Sequence, residues 1–117
     1  ISSDGNPEWH HPRGYGSFAK VIEEYALKRQ LFSLEEAIHK MTGLSAKSLG
    51  LKDRGTIEEG KAADLLLFDP EKVHANASYV SPHQLADGFD WIFINGEIVR
   101  REGEWTGKRP GSVLLKK

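Results

Sequence analysis

The chain has 117 residues, of which 38% are apolar and 28% charged, and its formal net charge at neutral pH is −1. This composition is typical of one globular domain, and the length is small for a complete metalloenzyme. Because lysine and arginine are scattered and nearly balanced by acids, nothing favours binding to nucleic acid or an anionic membrane. The absence of cysteine excludes disulfides and thiolate metal sites, and no apolar run has the length of a transmembrane helix.

Glycine, proline and asparagine are frequent in residues 2–16, and we expect this stretch to be a loop. Ser17 is placed to cap a first helix. The apolar side chains that follow recur at helical spacing, which predicts the buried face of that helix: Phe18, Val21, Ile22, Tyr25 and Ala26.

Two more helices are predicted from the residues at their ends. Ser33 begins a capping box, and the buried stripe behind it consists of Leu34, Ala37, Ile38 and Met41. Gly43 is placed to end this helix in a left-handed conformation. Ser45 would then cap a short third helix, and Gly50 would close it.

The second half of the chain carries strand signals. Residues 65–68 form a short run of large apolar side chains, which is typical of a strand buried on both faces, and Pro70 would end it. Residues 71–88 are polar without a clear period, and we expect them to form a loop.

A hairpin is the best local prediction in the chain. Asn95-Gly96 stands between two β-rich runs within residues 91–99, a pattern that predicts a type I′ turn. The first arm is apolar on both faces, so we expect both faces to be covered. Residues 103–111 are predicted to be loop and residues 112–115 a last strand, which gives an α+β fold.

Nearly all candidates for chemistry lie in the first eighteen residues, which hold Asp4, His10, His11, Arg13 and Tyr15. A carboxylate near histidines can bind metal or move protons, and arginine can clamp a substrate carboxylate. From spacing alone this signal is weak, and a surface turn with exposed histidines is the favoured interpretation.

Three motifs change that balance: S-D-G at 3–5, H-P-R-x-Y-G-S-F at 11–18, and G-x-I-x-x-G-K-x-A-D-L-x-x-F-D at 55–69. Together they resemble the N-acyl-D-amino-acid deacylases of the amidohydrolase superfamily. Shorter matches extend the resemblance through the chain, at residues 40–44, 50–55, 95–96 and 106–111.

The resemblance implies a role for four of these residues. Asp4 corresponds to a carboxylate beside a catalytic zinc, where it takes a proton from the attacking water and passes it to the leaving amine. Arg13 would bind the substrate α-carboxylate, His11 would support the loop by hydrogen bonds, and Tyr15 would lie in the same substrate region. The other zinc ligands would lie outside this chain, which has no His-x-His pair and no cysteine.

The same resemblance implies a larger architecture. Residues 1–52 would be the end of a (β/α)8 barrel, and residues 53–117 the C-terminal part of a small β-sandwich. Because the sequence starts at Ile1, we expect it to be a fragment of a longer protein. The expected location of that protein is the cytoplasm. The partners expected for the chain are then the missing barrel, the N-terminal sandwich strands and a small N-acyl-D-amino acid, with no nucleic acid or membrane. The fragment alone would be inactive.

Two alternatives remain open at this point. One is another amidohydrolase with the same architecture, such as a dihydroorotase-like or hydantoinase-like enzyme. The other is a non-catalytic interaction module that presents Trp91, Phe93 and residues 65–68 to a partner. The remaining histidines, His39, His74 and His83, are interpreted as structural or solvated and as distant from Asp4.

Overall fold

The computed structural model describes residues 1–6 and 8–115, so the loop predicted over residues 2–16 is described without Pro7 and the second predicted unit without Lys116 and Lys117. Helices occupy the first half: α1 (Arg13–Lys20), a π-helical segment (Val21–Lys28), α2 (Leu34–Met41) and α3 (Gly43–Leu49). The second half contains β1 (Leu65–Leu67), a 3-10 turn (Pro70–Lys72), β2 (Trp91–Ile94), β3 (Glu97–Arg101) and β4 (Glu104–Trp105). The predicted mixture of helices followed by strands is confirmed.

The first helix begins five residues earlier than predicted. Pro12 takes the N-cap position with φ −62°, and Ser17 lies inside α1, where its hydroxyl donates to the Arg13 carbonyl at 2.9 Å. The Ser17 cap was therefore wrong, because a proline with a helical φ already starts the helix. Most of the predicted buried face is correct, but Phe18 is exposed.

The second helix starts where its signals predict. The Ser33 hydroxyl accepts a hydrogen bond from the Glu36 amide at 3.1 Å, which confirms the cap. The predicted end of the third helix is also confirmed, since Gly50 follows α3 with φ +75°.

The junction between α2 and α3 differs from the prediction. Gly43 does not end α2 in a left-handed conformation; it is the first residue of α3, and Thr42 turns the chain with φ −122° and ψ −90°. Ser45 is not a cap either. It lies inside α3, with its hydroxyl 3.0 Å from the Lys40 carbonyl and 3.2 Å from the Ile1 carbonyl. This hydroxyl ties the end of α2 to the start of the N-terminal loop.

Four strands form one antiparallel sheet in the order β1-β2-β3-β4. Asn95 and Gly96 join β2 to β3 with φ 49° and 79°, both positive, as the predicted type I′ turn requires. The loop predicted over residues 103–111 was partly wrong, because it contains β4. Residues 112–115 form no strand within the described part of the chain.

The prediction that residues 65–68 are buried on both faces was wrong for β1. Leu66 is 52% exposed and Leu67 64% exposed. β1 is the outer strand of the described sheet, paired with β2 on one side. An apolar run is buried on both faces only when other layers cover both. Leu66 and Leu67 are consecutive and point to opposite faces of the strand, so within the described residues neither face is fully covered.

The G-K-x-A-D stretch holds the hairpin in place. The Asp64 carboxylate accepts a hydrogen bond from the Asn95 amide at 2.8 Å and forms an ion pair with Arg54. Arg54 also reaches the Asn95 side chain at 3.3 Å. The motif therefore has a structural role, because it links the loop before β1 to the β2–β3 turn.

The core joins the helices to the segment between β1 and β2. Ala19, Ile22 and Val73 are buried together, with Phe68 and Phe89 packed against them. A second cluster lies between the π-helical segment and α2. Within the described residues there is no helix long and apolar enough to span a membrane.

Candidate functional site

The Asp4 turn presents its carboxylate to solvent. Asp4 adopts a left-handed backbone with φ 49°, a conformation that Asp and Asn tolerate better than most residues. The Ser3 hydroxyl accepts a hydrogen bond from the Gly5 amide at 3.2 Å and closes the turn. The Asp4 side chain is 86% exposed, so it is free to meet a substrate or a neighbouring part of the protein.

Two glycines bring this turn onto the first turn of α1. A Cβ added to Gly5 would lie 2.7 Å from Gly14 Cα, and one added to Gly14 would lie 2.9 Å from the Asn6 carbonyl oxygen. Both distances are below normal contact, so this approach requires glycine. Asp4 and the residue before Gly14 are consequently neighbours in space.

That residue is Arg13, and its guanidinium faces Asp4. Arg13 Nη1 lies 3.5 Å from Asp4 Oδ2, and the guanidinium carbon lies 5.3 Å from the centre of the Trp9 ring. Arg13 Nε is buried and has no hydrogen-bond partner among the described residues. The Arg13 side chain is 36% exposed, so the guanidinium lies beside Asp4 with part of its surface open to a second carboxylate.

His11 supports Arg13 through the backbone. Its Nδ1 accepts a hydrogen bond from the Arg13 amide at 3.1 Å, so a neutral His11 carries its proton on Nε2. The ring of His11 meets Tyr79 edge-on, with centroids 5.1 Å apart. The structure therefore brings together Asp4, His11 and Arg13, whereas Tyr15 packs its ring 5.3 Å from His83.

His83, expected to be structural or solvated, makes a structural contact with the N-terminal loop. Its Nε2 lies 3.1 Å from the Trp9 carbonyl oxygen, and its ring lies 5.0 Å from His10. A carbonyl oxygen only accepts, so His83 Nε2 is the donor. This contact joins residues 74 positions apart in sequence, and no spacing or periodicity in the chain could have indicated it.

A cavity of about 370 Å³ opens beside Arg13. The residues that line it include His11, Arg13, Ser17, Lys20 and Tyr79. A larger open groove of about 770 Å³ runs along β3 and β4 and includes none of these residues. The smaller cavity is therefore the one associated with the candidate chemistry.

The part of the chain that the structure describes does not hold a complete donor set for a metal. Among residues 1–6 and 8–115, no three His, Cys, Asp or Glu side chains gather where they could hold a metal ion. A catalytic zinc usually needs three protein ligands. Asp4 alone does not form a zinc site, so any metal beside it would need ligands from outside the described residues.

Glu23 anchors the segment that carries Tyr79 and His83. Its carboxylate accepts hydrogen bonds from His74 at 2.9 Å, the Ala75 amide at 3.0 Å and Lys28 at 2.9 Å. Burial raises the pKa of Glu23, but these hydrogen bonds outweigh it and lower the pKa from its ordinary 4.5 to about 2. His74, expected to be structural or solvated, is therefore a structural contact.

Comparison with known proteins gives a consistent family. Residues 3–99 match the amidohydrolase family. Over 97% of its length the chain is 45% identical to an N-acyl-D-aspartate deacylase from Alcaligenes xylosoxydans xylosoxydans, and it covers 23% of that relative. Almost the whole chain is therefore matched, but it spans only about a quarter of the length of this relative.

Solved structures agree with the sequence comparison. A D-aminoacylase mutant in complex with copper chloride superposes with a TM-score of 0.84 at 40% identity, over 91% of this chain and 22% of that one. The N-acyl-D-glutamate deacylase from Bordetella bronchiseptica, in complex with zinc and a phosphonate mimic of the tetrahedral intermediate, gives 0.74 at 36% identity. That match covers 76% of this chain and 19% of the deacylase.

Proposed function

This chain belongs to the amidohydrolase family, and from that premise we propose that it is the C-terminal part of a zinc-dependent N-acyl-D-amino-acid deacylase. The complete protein would hydrolyse the amide bond of an N-acylated D-amino acid to a carboxylate and a free amino acid. The observation that carries the proposal is the pairing of Asp4 with Arg13, whose side chains meet at 3.5 Å. The pair supplies a proton carrier and a carboxylate-binding group side by side, and the relatives whose names specify N-acyl-D-amino acids support the substrate class.

Asp4 would manage the proton in this reaction. Its exposed carboxylate accepts a proton as water attacks the acyl carbonyl, and it returns that proton to the nitrogen as the C–N bond breaks. The nitrogen then leaves as a neutral amine, and Asp4 is ionised again. Zinc, held by ligands that the described residues lack, would supply Lewis-acid chemistry at the same place.

Arg13 would orient the substrate. A planar guanidinium matches the two oxygens of an α-carboxylate, and the exposed part of the Arg13 side chain leaves room for such a contact. His11 holds the Arg13 amide and so fixes the start of α1. Tyr15 would lie at the edge of the substrate region, against His83.

The proposal also places the chain in a larger architecture. Residues 1–52 would complete the barrel, and residues 53–117 would form part of a β-sandwich whose other strands come from the N-terminal end of the protein. The exposed apolar side chains of β1 support this placement, because Leu66 and Leu67 need a covering layer. We also propose a cytoplasmic location, which a cysteine-free sequence allows.

The direct test is an enantiomer pair. A protein of the relatives' length that contains this chain should, when loaded with zinc, release free amino acid from N-acetyl-D-amino acids. It should leave the matching N-acetyl-L-amino acids almost untouched, and they serve as the matched control. Hydrolysis of both enantiomers at equal rates, or of neither, would refute the proposed activity.

A further inference from the structure

Residues 74–87 form a closed loop on the surface, which we name the strap. Its two ends pair through the backbone: the His74 amide donates to the Asp87 carbonyl at 3.3 Å, and the Asp87 amide donates to the His74 carbonyl at 3.0 Å. Inside the strap, the Asn76 side chain donates to the Leu85 carbonyl at 2.9 Å and to the Asp87 carboxylate at 2.8 Å. These cross-links give the strap a defined shape, as in compact surface loops whose ends meet.

One end of the strap is fixed to the helical layer. Glu23 accepts from His74 and from the Ala75 amide, and its side chain is only 17% exposed. Because charge-assisted hydrogen bonds to a nearly buried carboxylate are among the stronger polar contacts, this end of the strap has a firm support.

The other part of the strap touches the N-terminal loop at several points. Tyr79 packs on His11, while His83 packs on His10 and Tyr15 and donates to the Trp9 carbonyl. Pro82, beside His83, is buried. By contrast Val80, between these contacts, is 97% exposed. The strap therefore contacts the loop through particular side chains and not through its whole length.

The strap contacts lead to Arg13 by two routes. Trp9, whose carbonyl accepts from His83, lies under the Arg13 guanidinium. His11, which meets Tyr79, accepts from the Arg13 amide. The Trp9 carbonyl also accepts from the His11 amide at 2.8 Å, so one oxygen connects both routes.

We propose that His83 is a positioning residue for Arg13: it holds the Trp9 carbonyl and ring so that the guanidinium stays beside Asp4, at the cavity that Arg13 lines. This inference rests on the proposed function, in which Arg13 binds the substrate carboxylate. His83 touches neither substrate nor the reacting atoms, and it acts through Trp9. Its effect should therefore fall on binding of the carboxylate and not on the proton transfer assigned to Asp4.

The test compares three variants of the full-length, zinc-loaded protein: His83→Ala, His83→Gln and the control Val80→Ala. Loss of one hydrogen bond should raise KM for N-acyl-D-amino acids about five- to tenfold in His83→Ala, with kcat changed less than twofold. The matching N-acyl amine, which lacks the carboxylate, should be hydrolysed at the wild-type rate. Because glutamine can still donate to the Trp9 carbonyl, His83→Gln should recover part of the loss, and Val80→Ala should behave as wild type.

A readout that needs no activity separates this inference from the proposed function. Hydrogen exchange of the His11 amide, which donates to the same Trp9 carbonyl, should become about five- to tenfold faster in His83→Ala and remain unchanged in Val80→Ala. Unchanged exchange in His83→Ala, or equal kinetic losses on substrates with and without the carboxylate, would overturn the positioning role. If the protein hydrolyses neither enantiomer but the exchange result holds, the strap contact stands while its role in substrate binding is overturned.

Discussion

Glu23 offers a quantitative test of how the strap is attached. A carboxyl whose pKa is lowered from 4.5 to about 2 favours the folded state by at most about 3–4 kcal/mol at neutral pH. Because the Lys28 partner is well exposed, solvent screens its share, and we expect about 2 kcal/mol to remain. Since the folded-state pKa is depressed, this contribution is present above about pH 4.5 and is lost as the pH falls towards 2.

The perturbation is Glu23→Gln, and the assay is hydrogen exchange of the Ala75 amide, which donates directly to Glu23. At pH 7 the exchange should accelerate about 30-fold, the factor that corresponds to about 2 kcal/mol. After correction for intrinsic rates, the difference from wild type should shrink below pH 4.5. The matched control is Glu24→Gln, because Glu24 pairs with Arg29 and Lys28 on its own helical segment. An equal acceleration in the control, or a change below twofold in Glu23→Gln, would refute the reasoning.

Three other predictions follow from the site. In Arg13→Lys, kcat/KM for N-acyl-D-amino acids should fall by an amount that corresponds to about 1.5–3 kcal/mol. The matching N-acyl amine, which lacks the carboxylate, should be hydrolysed equally poorly by wild type and variant. Equal losses on both substrates would reassign Arg13 to loop support. Gly5→Ala places a Cβ 2.7 Å from Gly14 Cα and should therefore separate Asp4 from Arg13, which should lower kcat about tenfold or more. The control is Gly111→Ala, at a position with open space, and it should leave kcat unchanged. The 117-residue chain alone should retain no stoichiometric zinc after dialysis and show no deacylase activity, as the incomplete donor set predicts; retained zinc would contradict it.

Local signals predicted the elements whose ends depend on nearby residues. The Asn95-Gly96 turn and the Ser33 cap are set by contacts within three residues, and both were found. Ser17 and Ser45 are equally good caps by residue type but lie inside helices, because Pro12 starts one helix and the α2–α3 junction starts the other. A cap signal thus identifies a possible helix start, and the neighbouring residues decide whether it is used.

Contacts between distant parts of the chain were beyond sequence reasoning. His83 in the strap meets Trp9, His10 and Tyr15, and only the folded chain brings them together. The burial predicted for β1 failed for a related reason: exposure of Leu66 and Leu67 depends on a layer that the described residues do not contain. By contrast Asp4, His11 and Arg13 could be selected from the sequence because they share one short stretch and the structure keeps them adjacent.

The central claim is that Asp4 carries the proton during amide hydrolysis, and Asp4→Asn in the full-length, zinc-loaded protein tests it most directly. Asparagine tolerates the left-handed backbone at this position, so the substitution removes the carboxylate without adding strain. Turnover should fall by about 10²-fold or more while the zinc content stays near that of wild type. Glu8→Gln, which removes a charge from the same exposed loop, should leave turnover nearly unchanged. Near-normal turnover of Asp4→Asn with full zinc content would contradict the account.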